Sequence, residues 1–107
     1  MGKPGIVIKF TARPEEAEAF VAILEEAAGL VEADPGTTPW MAVRAVDDPN
    51  TFFVVDLHAD RAALDGHVNG PAGALVLGEG GKLLAVEPEI TIVGLLAGKD
   101  LEVTAIA

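Results

Sequence analysis

The chain contains no cysteine and no tyrosine, a single tryptophan, and only seven lysines and arginines in 107 residues. Without cysteine there are no disulfides, no thiolate nucleophile and no Cys-ligated zinc or iron–sulfur centre. Seven basic residues against 17 Asp and Glu give a formal net charge of −10. That balance excludes a nucleic-acid binder, because phosphate contacts need clustered Lys and Arg. No apolar run approaches the ~20 residues of a membrane-spanning helix. The first residues lack the basic-then-apolar pattern of a signal peptide, so a cytoplasmic setting is expected. What the chain has in quantity is apolar character: 50% of its residues are hydrophobic, and its mean hydropathy is +0.41. This is high for a length that fits one domain, 1–107, with one modest core. Part of the apolar surface is therefore expected to face another subunit.

Residues 5–12 alternate Ile6, Ile8 and Phe10 with Val7, Lys9 and Thr11, the period of a strand. Pro14 then stands in the first turn of a helix, where its missing N–H costs least, and Glu15 and Glu16 suit the positive end of the helix dipole. The helical stripe is Ala17, Phe20, Val21, Leu24, Ala27, Ala28 and Val31. Glu15, Glu18 and Glu25 cover the other face and read as solvated. Asp34, Pro35 and Gly36 break the helix. A second strand is expected over 39–46 and a third over 51–59, joined by the turn Asp47, Asp48, Pro49 and Asn50 as an antiparallel hairpin. The third strand is apolar on both faces, with Phe52 and Val54 on one and Phe53, Val55 and Leu57 on the other. Asp60 reads as the N-cap of a helix to Val68 that carries Ala63, Leu64, His67 and Val68 on one stripe. A weaker helical piece is expected over 72–77, a loop over 78–81 and a strand over 87–96. The alternating tail from Leu101 suits an extra C-terminal strand.

Strand, helix, strand, strand, helix, strand is the order of the ferredoxin-like βαββαβ unit, an α+β fold with an antiparallel sheet and helices on one face. Helices on one face cannot cover a strand that is apolar on both. The expected solution is a homodimer through the sheet face, a dimeric α+β barrel.

Residues 35–71 also resemble a known family. Pro35, Gly36 and Thr37, then Trp40, Arg44, Asp47, Asp48, Pro49, Phe52, Asp56, His58, Asp60, Ala63, Leu64 and His67 are similar to the pattern of the antibiotic biosynthesis monooxygenases. In that family a Pro-Gly-Thr start is followed by an aromatic, an Arg before Asp-Asp-Pro, then Phe, an acidic residue, an aromatic, and Asp and Ala-Leu leading to His. The chain departs from it at Asp56, where Glu is usual, at His58, where Tyr or Trp is usual, and at Asn69 to Ala72, which replace Ser-Pro-His-Phe. With no tyrosine, a mechanism that needs a phenol does not carry over. The Asn, Trp and His triad of haem-degrading relatives finds no place here.

The resemblance implies a dimeric ferredoxin-like barrel and cofactor-independent oxygenation of an electron-rich aromatic, a quinol, an anthrone or a polyketide-like compound, with dioxygen as co-substrate. Dioxygen is a ground-state triplet and reacts slowly with closed-shell molecules. Such an enzyme therefore supplies a base, a dry cavity and orientation to a substrate that becomes a good electron donor once deprotonated. A histidine, with an ordinary pKa near ~6.5, suits the base. His67 is the first candidate and His58 the second. Trp40, Phe52 and Phe53 are candidate aromatic walls, and Arg44 a candidate for stabilising the anion. Asp56, set among Val54, Val55 and Leu57, must be paired or reach solvent.

The plainer readings are that His67 ties its helix to a loop, His58 lines a pocket without acid–base work, Asp60 only caps and Trp40 belongs to an interface. Two histidines with scattered carboxylates form no recognisable metal motif, so no metal and no cofactor are expected. The competing functions are a barrel that binds a small hydrophobic ligand without turnover, and a cofactor-free isomerase or cyclase. Hairpin register bears on the site. Val46 opposite Thr51 turns Arg44 away from Asp56. Asp47 opposite Thr51 puts Trp40 opposite His58 and Arg44 on the face of Asp56. The second is favoured, because it offers Asp56 a cationic partner.

Overall fold

A computed structural model describes residues 2–101. Strand β1 is Pro4–Thr11, and a 3₁₀ turn at Pro14–Glu16 leads into helix α1, Ala17–Val31. The hairpin is β2, Thr37–Arg44, and β3, Thr51–His58. Helix α2 is Arg61–Val68, helix α3 is Pro71–Ala74, and β4 is Glu89–Gly94. The sheet is antiparallel throughout, in the order β2-β3-β1-β4. This is the expected ferredoxin-like arrangement. The expected C-terminal strand falls largely on residues 102–107, outside the described residues. No helix among the described residues is long and apolar enough to cross a membrane.

The even-numbered positions of β1 and β3 face the helices. Ile6, Ile8, Phe10, Phe52 and Val54 are buried there against Phe20, Leu24 and Ala27 of α1. Phe20 is the centre of this core, with ring centroids 5.1 Å from Phe10 and 5.1 Å from Phe52. The stripe of α1 is buried as its spacing requires, at Ala17, Phe20, Leu24, Ala27 and Val31.

Asp60 caps α2 as expected, its Oδ1 accepting from the Ala63 amide at 2.8 Å. The segment after α3 departs from expectation. The chain does not loop over 78–81 but continues through a π turn, Leu75–Glu79, and a 3₁₀ turn, Gly80–Leu83. Gly80 is buried, and a Cβ there would lie 3.1 Å from Phe20 Cε1 and 3.3 Å from Ile23 Cγ2. A residue without a side chain lets these turns lie directly on α1.

The hairpin register differs from both expected arrangements. Arg44 pairs with Phe52 and Trp40 with Asp56, and the Ala45 amide donates to Thr51 O at 2.9 Å. Neither Val46 nor Asp47 stands opposite Thr51. The cause is Asp48, whose carboxylate accepts from Thr51 Oγ1 at 2.6 Å and from the Asn50 amide at 3.1 Å. This side-chain-closed turn takes up Val46 to Asn50, so β2 ends earlier than its composition indicates. At the other end of the hairpin a bulge between Thr37 and Trp40 sets Thr37 opposite His58.

The far face of the sheet carries Val7, Met41, Val43, Phe53 and Val55, as the alternation of β1, β2 and β3 dictates. Met41 is 42% and Val43 48% exposed.

Candidate functional site

The end of β3 presents Asp56 and His58 on the helix side, two residues apart and therefore on one face. Helix α2 lays His67 over them: Leu64 and His67 are its buried positions, one turn apart. The bulge in β2 delivers Thr37, and the connection after α1 delivers Asp34. Asp56 is 1% and His58 0% exposed.

The five side chains form a nearly closed ring. Asp34 Oδ2 accepts from Thr37 Oγ1 at 2.9 Å and lies 3.1 Å from His67 Nδ1. Thr37 Oγ1 is 3.0 Å from His58 Nδ1, and His58 Nε2 is 2.5 Å from Asp56 Oδ1. The ring stops short of closure between His67 Nε2 and Asp56 Oδ2, at 3.6 Å. The two imidazoles lie with centroids 5.0 Å apart.

Proton counting assigns the ring. Burial by itself would raise the Asp34 carboxyl. The hydrogen bonds from Thr37 and His67, the attraction of His67 and the Gly36 amide outweigh it and hold the carboxyl below the usual carboxylate range. An ionised carboxylate only accepts, so Thr37 donates its one hydroxyl proton to Asp34 and His67 donates from Nδ1. Thr37 is then left to accept, and His58 Nδ1 must carry a proton. The contact between His58 Nε2 and Asp56 Oδ1 needs one further proton, shared between them. The Asp34 bond at Nδ1 holds the His67 ring in orientation, with Nε2 on the other side of the ring toward Asp56 Oδ2. Asp56 Oδ2 is buried with no hydrogen-bond partner among the described residues.

Beside the ring lies a pocket of about 220 Å³, lined by His67, Asp56 and Trp40 with apolar walls from Ile6, Leu64, Val76 and Ile92. An apolar cleft with a few converging polar groups is the usual form of a small-molecule site.

Of the residues singled out from sequence, His67, Asp56 and Trp40 come together at this pocket. His58 stands behind Asp56 and does not line it. Phe52 is core, in contact with Phe20. Phe53 stands on the opposite face of the sheet. Arg44 shares the face of Asp56, as expected, but lies four residues along β3, ~13 Å at ordinary strand rise. Arg44 pairs with Glu18 at 2.6 Å, donates to Pro49 O at 2.7 Å and sits 5.1 Å over the Phe52 ring. The expected cationic partner of Asp56 is thus replaced by the two histidines. Asp34 and Thr37 were not singled out for chemistry: Asp34 reads locally as a helix breaker. The Pro-Gly-Thr motif was the available signal, since it fixes the spacing that joins them.

A ferredoxin-like sheet with a histidine-bearing apolar pocket between α2 and the sheet defines the class. The sequence pattern described as antibiotic biosynthesis monooxygenase matches residues 5–73, and the chain belongs to that family. A protein of unknown function from Nitrosomonas europaea is 34% identical, with 95% of this chain and 97% of that one covered and a TM-score of 0.84. A provisional antibiotic biosynthesis monooxygenase from Caulobacter crescentus is 23% identical over 90% of this chain and 92% of its own, with a TM-score of 0.80. A protein from Mycobacterium tuberculosis shares the fold at 21% identity, over 89% of this chain and 96% of its own, with a TM-score of 0.80. No curated protein matches the chain.

Proposed function

We propose that the protein is a cofactor-independent monooxygenase that oxidises a small electron-rich aromatic with dioxygen. The observation that carries this reading is the Asp34–His67 pair, 3.1 Å apart, with the His67 ring at the edge of an apolar pocket. His67 Nε2 takes a proton from the bound phenol or activated C–H, and the Asp34 carboxylate stabilises the imidazolium that results. The substrate anion passes one electron to dioxygen, and the radical pair couples to form a C–O bond. The peroxide takes back the proton from His67. Cleavage of its O–O bond with loss of the hydrogen on the oxygenated carbon gives a carbonyl and one water, so one oxygen atom enters the product. Trp40 and the aliphatic side chains give the site apolar walls against which an aromatic ring packs. The volume lies below the ~300–1,000 Å³ of drug-sized pockets, which favours a one- or two-ring quinol over a three-ring anthrone.

The exposed face with Met41, Val43, Phe53 and Val55 supports a homodimer packed sheet to sheet. A second reading, proton transfer without oxygen as in an isomerase, draws on the hydrogen-bonded Asp56–His58 pair, whose other carboxylate oxygen lies 3.6 Å from His67 Nε2. An oxygen electrode with a panel of quinols separates the two. The monooxygenase reading expects uptake above the autoxidation of each substrate alone, and uptake equal to autoxidation across the panel overturns it.

A further inference from the structure

The two histidines are built as metal-ligating histidines are built. Such residues hold the metal at one ring nitrogen and anchor the other by a hydrogen bond to a carboxylate, hydroxyl or carbonyl. Here both Nδ1 atoms are anchored, His67 by Asp34 at 3.1 Å and His58 by Thr37 at 3.0 Å. Both Nε2 atoms turn to the same carboxylate: one ligand atom each from Asp56, His58 and His67 lies within 4.8 Å of the others. A second, independent observation points the same way. Asp56 is 1% exposed, yet its Oδ2 has no hydrogen-bond partner among the described residues and faces His67. An oxygen buried in this way is costly unless something electropositive completes it.

We propose that Asp56, His58 and His67 form a binding site for a divalent first-row transition ion, through the carboxylate and the two Nε2 atoms, with the remaining coordination positions open to the pocket. The donor set, two imidazoles and one carboxylate, suits zinc, cobalt, nickel, copper or iron(II) and not magnesium or calcium, which take all-oxygen shells. Metal–ligand bonds of ~2.0–2.1 Å set tetrahedral ligand atoms ~3.3 Å apart. His67 Nε2 lies 3.6 Å from Asp56 Oδ2, close to this, and the 2.5 Å contact of His58 Nε2 with Oδ1 has to open by under ~1 Å, so the carboxylate binds through both oxygens or turns to offer one to the ion. The ion takes the place of the proton that Asp56 and His58 share.

This goes beyond the oxygenase reading and constrains it, because an ion on His67 Nε2 occupies the lone pair used as base. The ion-bound and base forms exclude each other, and zinc acts as an inhibitor of the cofactor-free reaction.

The test titrates Co²⁺ and Zn²⁺ into chelator-treated full-length protein, followed by visible absorption and calorimetry. The expected result is one saturable site per chain at micromolar or tighter affinity, with the intense ligand-field bands of low-coordinate cobalt. Asp56→Asn and His58→Gln weaken it by at least ~100-fold. Thr37→Val, which removes the anchor at the outer nitrogen of His58 and a hydrogen bond to Asp34 but no proposed ligand, weakens it by ~10-fold to 100-fold. Glu79→Gln, a surface carboxylate paired with Lys82, changes nothing. Circular dichroism of each variant confirms folding, and Thr37→Val provides a mild substitution if Asp56→Asn unfolds. The proposal is overturned if no saturable binding occurs, or if folded Asp56→Asn and His58→Gln bind as the parent does, since the acidic surface is then the ligand. Oxygen uptake by the chelator-treated protein is scored separately. Uptake without metal binding removes this proposal and leaves the oxygenase, and binding without uptake does the reverse.

Discussion

Replacing Asp34 by Asn separates an orienting carboxylate from a merely structural one. The substitution keeps shape and removes charge at an oxygen that accepts from both Thr37 and His67. A hydrogen bond to a charged group contributes about 1.5–3 kcal/mol. The Asp34 side chain is 30% exposed, so water screens it and the lower half of that range applies, about 1.5–2 kcal/mol. At about 1.36 kcal/mol per tenfold, the loss of imidazolium stabilisation lowers kcat by about 10-fold to 30-fold. KM should change little, because Asp34 lies behind His67 and does not line the pocket that His67 shares with Trp40. The assay is initial-rate oxygen uptake with the most reactive quinol of the panel, run beside a denaturant unfolding curve. An unfolding midpoint that falls while kcat stays within twofold of the parent would refute the reasoning and leave Asp34 as a turn residue.

Three further outcomes follow from the same structure. Phe20→Ala removes the 0% exposed ring that touches Phe10 and Phe52, and should lower the unfolding free energy by about 3–5 kcal/mol in urea titrations at constant m. Val55→Lys, on the apolar far face of β3, should shift sedimentation from dimer to monomer while circular dichroism stays unchanged; a parent that sediments as a monomer removes the dimer from the account. Asp34 and Asp48 both have carboxyls held below the usual range, Asp34 by bonds that outweigh its burial and Asp48 by the Thr51 hydroxyl and Asn50 amide. A carboxyl depressed on folding adds stability above its unfolded pKa of about 3.9 and loses it as pH falls through the folded value. Acid unfolding of Asp34→Asn should accordingly be less steep below about pH 4 than that of the parent.

The architecture was legible because it rests on short-range patterns. Alternation at Ile6, Ile8 and Phe10 and helical spacing at Phe20, Leu24 and Ala27 each record one face of one element. Proline at the start of the first helix and Asp60 before α2 mark boundaries by chemistry that acts within one turn. The site was legible only in part. His67 and Asp56 could be picked out as polar groups on apolar stripes. Their true partners could not, since His67 meets Asp34 across 33 positions of sequence, and the meeting depends on how α1 and α2 dock on the sheet. Arg44 was matched with Asp56 by face, and the shared face is right. The register slipped because the Asp48 side chain closes a longer turn than Asp-Asp-Pro-Asn implies. The bulge that brings Thr37 to His58 has Pro39 as its local mark, since proline within a sheet is confined to edge strands and bulges, but the mark does not say which side chains meet. Gly78 to Gly81 read as a loop because glycine disfavours helices in isolation. Here packing on Phe20 and Ile23 outweighs that preference.

The account turns on His67 as the base of an oxygen-consuming reaction. Its most direct test is oxygen uptake by the chelator-treated parent and by His67→Gln, with quinol autoxidation subtracted. A positioned general base contributes ~10²–10⁴-fold, so the parent should exceed autoxidation clearly and folded His67→Gln should fall by that factor. Parent uptake equal to autoxidation, or a folded His67→Gln at the full parental rate, would contradict the account.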